Sequence, residues 1–341
     1  MKRLAVALAC VLGIRAAAAN PAPGGVWAQA SESADDELAR VSYDEAMLAG
    51  DDHVSLAVKE RGMQTRRRMV ERAAASYETA SRARPAAAEP HFRAAAVLDA
   101  FLVDCRRDEA PLCRDDSEVG RDVGERIIAH WDAFTRLAPL DPRVTDEVLL
   151  DRAILHTKLA TEAHWIAATA DYEEVLHRMR DDARTDAIFS MRGRRAMVLG
   201  NLAETYMMLG DLDRAIETYR ASLRFDPDTS RMFGLAVALD RDEQRAEAWR
   251  VLQLQGGDAL GDLVRDIVSR RVFFVPEGEA EYYLALGAEW SGDDVAAIEH
   301  YEAFLVSKAH PRFALRARTN IARLKAKPLR LRGRDRAGWV R

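Results

Sequence analysis

From Ala196 to Pro227 the apolar positions recur at three- and four-residue steps, the period of a helix with one buried face. Leu199, Leu202, Ala203 and Tyr206 fall on one side, which predicts a helix over about residues 196–209. Gly210 suits the left-handed turn that ends a helix, and Asp211 suits the N-cap of the next. The second helix carries Ala215, Ile216, Tyr219 and Leu223 on one face, and Pro227 stops it. Ala203 and Ala215 would let two antiparallel helices approach closely, with Tyr206 and Tyr219 filling the space beside the contact. A hairpin of this size cannot bury its apolar face alone, so it must stack on another.

Looser copies of the pattern occur along the chain. One has Leu286, Gly287 and Trp290, then Gly292, Ala297, Ile298 and Tyr301. Others supply only a second helix: Ala73, Tyr77, Ala80 and Pro85; Trp131, Phe134 and Pro139; Ala168, Tyr172 and Val175; Ala248 and Leu252. The six second-helix anchors Tyr77, Trp131, Tyr172, Tyr219, Leu252 and Tyr301 are 54, 41, 47, 33 and 49 residues apart, so insertions separate most units. A terminal helix is expected to bury Ala314, Ala317, Ile321 and Leu324 and to keep Arg316, Arg318, Arg323 and Lys325 in water, as a cap requires. No run of period-two alternation bounded by turns predicts a sheet.

The spacing of Leu202-Ala203, Tyr206, Gly210, Ala215, Tyr219 and Pro227 resembles the tetratricopeptide repeat, a helix–turn–helix unit of about 34 residues. Leu199 stands where the repeat usually has Trp, and Ala203 where it usually has Gly. The resemblance implies an all-α fold, an α-solenoid of stacked antiparallel helix pairs, and a role in binding a protein or peptide segment on a concave face. It also implies candidate contacts. Asn201 sits where peptide-binding members place an Asn that grips a partner's terminal carboxylate, and Glu204, Met207 and Met208 are expected beside it on that face. The predicted repeat region is 54–325, with insertions at 102–122 and 256–277; the latter is expected to form an extra helix over about 258–270.

Composition fits this picture. The 341 residues are 48% hydrophobic and 31% charged with a net charge of −5, which argues against general nucleic-acid binding, since that needs a basic footprint. The start reads as an address: Lys2 and Arg3, an apolar run from Leu4 to Ile14 too short to span a bilayer, and the small-x-small exit Ala28-Gln29-Ala30. That predicts a signal peptide over 1–30, with cleavage after Ala19 as the alternative, then an acidic segment over 31–53. A periplasmic or secreted location in a bacterial envelope follows. Removal of Cys10 leaves Cys105 and Cys113, an even count in an oxidising compartment, which predicts a disulfide. Lys325 to Arg341 holds seven basic residues and one acidic, a solvated end or a contact for anionic lipid; the basic tail is taken as 326–341.

No phosphate loop, nucleophile elbow, paired metal-binding histidines or calcium loop stands in the sequence. The nearest cluster, His156, Glu162 and His164, is not spaced for one helical face. The expectation is therefore a scaffold without catalytic residues, metal or cofactor. An enzyme or substrate-binding subunit with its site in an insertion, and a self-assembling structural component, are the alternatives.

Overall fold

A computed structural model of the chain describes residues 34–103, 118–181, 188–254, 259–268, 275, 278–307 and 309–327. The signal segment, Cys105, Cys113, most of the apolar stretch 273–276 and the basic tail from 328 onward lie outside the described residues. Among the described residues there are fourteen α-helices and no strand, so the fold is all-α. The chain divides into two compact units, Met1–Leu159 and Ala160–Arg341. Within each, successive antiparallel helices pack in sequence order, the stacked-pair arrangement of an α-solenoid.

The first unit runs α1 (Ala34–Lys59), α2 (Met63–Ala83), α3 (Glu89–Leu98), α4 (Glu118–Leu137) and α5 (Leu149–Leu159). One π-helical turn, Asp99–Val103, extends α3, and a second, Val144–Val148, leads into α5. Helix α1 begins inside the acidic segment expected over 31–53 and runs on to Lys59. Its buried residues Ala46, Met47, Gly50, Val54 and Ala57 fall at helical spacing, and three of the five are Ala or Gly. The exposed Asp44, Glu45 and Asp52 dominate the composition instead. Gly50 lies against the ring of Tyr77, where a Cβ would collide with it. Tyr77 is fully buried and its hydroxyl donates to Asp51 at 2.8 Å. Further along, Phe92 meets Trp131 edge-on at 5.6 Å and Phe134 at 5.1 Å, with the Arg143 guanidinium 4.2 Å over the Phe92 ring.

The second unit runs α6 (Glu162–Asp181), α7 (Ile188–Leu209), α8 (Leu212–Phe225), α9 (Thr229–Arg241), α10 (Arg245–Gln253), α11 (Ala259–Val268), α12 (Glu279–Trp290), α13 (Asp294–Val306) and α14 (Ala314–Ala326). Its hairpin corners share one geometry. At Gly210, φ is +84°, Gly210 N–H donates to Met207 C=O and Asp211 N–H to Tyr206 C=O, both at 2.9 Å. At Gly292, φ is +85°, and Gly292 and Asp293 repeat those two bonds to Glu289 and Ala288 at 3.0 and 2.9 Å. This is the Schellman closure, in which the next two N–H groups satisfy carbonyls left over at a helix end. Asp211 and Asp293 then each accept from the N–H three residues on, at 3.2 Å, and so cap the following helix. The corner between α9 and α10 closes the same way through Glu243, a non-glycine residue held at φ +63°.

The six anchors Tyr77, Trp131, Tyr172, Tyr219, Leu252 and Tyr301 are all buried to 2% or less. Helix α11 occupies Ala259–Val268, inside the range expected for the insertion helix. The cap α14 buries Ala317, Ile321 and Leu324, with Ala314 half-buried at its start. Its polar side needs one correction: Arg316 and Arg323 are not simply solvated. Arg316 reaches the buried Asp240 at 3.1 Å, and Arg323 reaches Glu289 at 2.6 Å, because those carboxylates lie beneath the cap without enough local cations.

Candidate functional site

The repeat built by α7 and α8 is held by small residues. Ala196, Ala203 and Ala215 are fully buried, and the buried Ser222 hydroxyl donates to Ala196 C=O at 2.6 Å, tying the far ends of the two helices. Leu202 and Ile216 are buried alongside, while Leu223 is half-buried. Tyr219 lies between α7 and α9: its hydroxyl reaches α7, and a Cβ at Gly234 of α9 would lie 2.5 Å from its Cζ. Gly234 therefore does for Tyr219 what Gly50 does for Tyr77: it makes room for a phenol between stacked helices. Pro227, exposed just past Asp226, ends α8.

A groove of 610 Å³ opens where α6 and α8 diverge over α7. Leu176, Leu199, Leu202 and Ala221 form its apolar floor. Glu173, His177, Glu217, Arg220 and Arg224 form an exposed polar rim. The rim is braced: the Tyr206 hydroxyl donates to Glu173, and Arg220 Nη2 donates to Glu247 on α10 at 2.5 Å. Burial, helped by the Glu173 charge, pushes the Tyr206 phenol up to about 12. The Arg214 guanidinium stacks 4.5 Å over its ring.

The residues expected to line an open contact face lie elsewhere. Asn201, Glu204, Met207 and Met208 are 4, 1, 0 and 1% exposed, which corrects that expectation. Later helices cover this side of α7. Glu204 accepts from Tyr219 on α8 and from Tyr283 on α12, both at 2.5 Å on the same carboxylate oxygen. Its second oxygen has no partner among the described residues. Burial pushes the Glu204 carboxyl up to about 7, although the two phenols and Arg241 pull it down. Beside it, Arg241 and Glu279 form an ion pair in which both side chains are fully buried. The neighbouring Asp240, also buried, accepts from Tyr282 at 2.7 Å, Asn320 at 2.9 Å, Arg245 at 2.8 Å and Arg316 at 3.1 Å. Arg316 above all, then Arg245 and Tyr282, hold Asp240 below the usual carboxylate range against the cost of its burial.

The later copy places its residues in the same way. Leu286, Ala297 and Tyr301 are fully buried, and Gly287 receives Leu260 of α11, whose Cδ1 would be 2.5 Å from an added Cβ. Trp290 is half-buried and meets Phe233 edge-on at 6.5 Å. Among the described residues, no group of three or more His, Cys, Asp or Glu is arranged to hold a metal ion. Sequence reasoning missed the polar layer around Glu204 and Asp240. The signal available was a carboxylate inside each apolar run, Glu204 between Ala203 and Thr205, and Asp240 after Val237-Ala238-Leu239.

A family model described as tetratricopeptide repeat matches residues 196–229, which are α7's second half, α8 and the turn to α9. The α7–α8 hairpin is similar to a single tetratricopeptide repeat. Among solved structures, the chain is similar to the crystal structure of the P58(IPK) TPR domain at 15% sequence identity. The match covers 82% of this chain and 78% of that one, with a TM-score of 0.27. No curated protein matches the chain. Repeats of this family generally bind protein partners.

Proposed function

We propose that this protein is a non-catalytic interaction scaffold that seats a helical or extended partner segment in the groove between α6 and α8. One observation carries the reading: the groove joins an apolar floor, Leu176, Leu199, Leu202 and Ala221, to a rim bearing both signs of charge. An apolar floor supplies affinity and a fixed polar rim supplies register. Glu217, Arg220 and Arg224 stand on α8, already held by the α7–α8 seam, and Glu173 of α6 is held by Tyr206, so the protein's own side loses little freedom on binding. The setting belongs to the same proposal: an exported protein of the bacterial envelope. It is supported by Lys2, Arg3, the apolar run to Ile14 and the Ala28-Gln29-Ala30 exit.

The test is site-specific photocrosslinking from Ala221 in cells, with Ala221→Trp as a variant that fills the groove. The proposal expects one discrete adduct from position 221, none from the exposed Arg250 on α10, and loss of the partner in the Trp variant with its helicity intact. A partner retained undiminished by Ala221→Trp would remove the groove from the reading. Mass measurement of the mature protein tests the setting separately, since an intact Met1 would refute export.

A further inference from the structure

Helices α1 and α14 are the first and last described helices, and each leaves one stripe uncovered. On α1 the stripe is Glu45, Leu48, Asp52 and Leu56, spaced three, four and four residues apart and all exposed, the leucines at 60% and 52%. At about 100° per residue these four fall within an arc of about 80°, opposite the buried Gly50, Val54 and Ala57. On α14 the stripe is Leu315, Arg318, Ala322 and Lys325, spaced three, four and three residues apart and all exposed, Leu315 at 74%. It too fills an arc of about 80°, away from the buried Ala317, Asn320 and Leu324. Among the described residues, Glu45, Asp52 and Arg318 make no side-chain hydrogen bond or ion pair. Lys325 reaches Glu302 of α13 at 2.8 Å, with both side chains more than half exposed, and such a pair contributes little.

We propose that these two stripes dock on each other between copies of this chain, α14 of one copy lying antiparallel to α1 of the next. The charges carry the match. Glu45 and Asp52 are seven residues apart, and so are Arg318 and Lys325, which is about 10 Å along either helix. Set antiparallel, Glu45 meets Lys325 and Asp52 meets Arg318. The same register puts Leu48 against Ala322 and Leu56 against Leu315, so the ion pairs alternate with apolar pairs. Lys59, one turn past Leu56, falls where α14 has given way to the Pro311–Phe313 turn. A parallel setting would face Glu45 with Leu315, Leu48 with Arg318, Asp52 with Ala322 and Leu56 with Lys325, leaving every charge against an apolar residue. The antiparallel contact also repeats the packing of successive helices within each unit. Two different faces make a head-to-tail contact, which closes into a ring or propagates as a chain. It uses no residue of the α6–α8 groove, so it stands or falls apart from the proposed function.

The experiment is sedimentation equilibrium of the protein as isolated from cells, over a range of protein and salt concentrations. Species heavier than the monomer are expected as protein concentration rises, and they should be lost as salt rises. Glu45→Lys with Asp52→Lys should weaken association at least about tenfold, and so should Arg318→Glu with Lys325→Glu, since reversal turns each weak attraction into repulsion. An equimolar mixture of the two reversed proteins should associate again, because each reversed stripe meets its complement on the other protein. Leu56→Ser should weaken association at every salt concentration. Circular dichroism checks that each variant is folded. Should a reversal disturb the fold, Glu45→Gln with Asp52→Gln, or Arg318→Gln with Lys325→Gln, takes its place, and weaker association is again expected. A monomer at every concentration, undiminished association by either altered protein alone, or a mixture of the reversed proteins that stays monomeric would overturn the proposal.

Discussion

Replacing Glu204 by Gln tests the buried layer most directly. The wild-type carboxyl titrates near 7 in the folded protein, because burial disfavours its charged form, against about 4.5 in an unfolded chain. Below pH 4.5 both states hold the proton and the group imposes no pH dependence. Between 4.5 and 7 the folded state keeps a proton that the unfolded state has lost, so stability falls as pH rises. Each unit is worth about 1.4 kcal/mol, and the window is about 2.5 units wide, which gives a loss of about 3 kcal/mol by pH 8. Gln keeps the shape and the acceptor oxygen for Tyr219 and Tyr283, and it cannot ionise. The variant should match wild type within about 1 kcal/mol at pH 4.5 and exceed it by about 3 kcal/mol at pH 8. Urea unfolding of both proteins at four pH values across this range, followed by circular dichroism, reads the difference. A difference that stays flat with pH, or a Gln variant that weakens towards pH 8, would refute the argument that Glu204 is held neutral.

Ala215→Leu should cost about 1–3 kcal/mol, since the seam is spaced for a methyl group, while Arg220→Ala should cost no more than about 0.5 kcal/mol on an exposed ion pair; chemical denaturation of the two compares seam with surface. Glu243→Gly should raise stability by about 1 kcal/mol, because Glu is held in the left-handed region at that corner and Gly adopts it freely, and a shift in thermal midpoint reports it. Cys105 and Cys113 should resist thiol labelling in the exported protein until a reductant is added, and labelling of both without reductant would count against a bond between them.

The repeat itself was legible because its signals are local. Gly210 and Asp211 announce the corner through backbone chemistry that any fold would need, and Ala203, Ala215 and Tyr219 announce the seam through side-chain size. The faces were harder. Helix α7 is buried at every position from Asn201 to Met208, so no periodicity could say that Asn201 and Met207 are interior. A helix covered on all sides carries no polar stripe to orient it. Helix α1 was harder to read for the opposite reason: three of the residues it buries, Ala46, Gly50 and Ala57, are small and add little hydrophobicity beside Met47 and Val54. The groove was not visible either, because it depends on how α6 and α8 splay, a quantity set by packing rather than by either helix alone.

The bonds from Tyr283 to Glu204 and from Asn320 to Asp240 join residues 79 and 80 positions apart. Repeat arrays ordinarily behave as one-dimensional chains in which each unit feels only its neighbours, so end units can fray or be deleted one at a time. Here that modularity is given up. Truncating the protein before α14 would strip Asp240 of Arg316 and Asn320 and leave a buried carboxylate short of its donors, a far larger penalty than one lost helix interface. The segment from α7 to α14 should therefore melt in a single cooperative transition, and its carboxy-terminal end is the wrong place to shorten the protein.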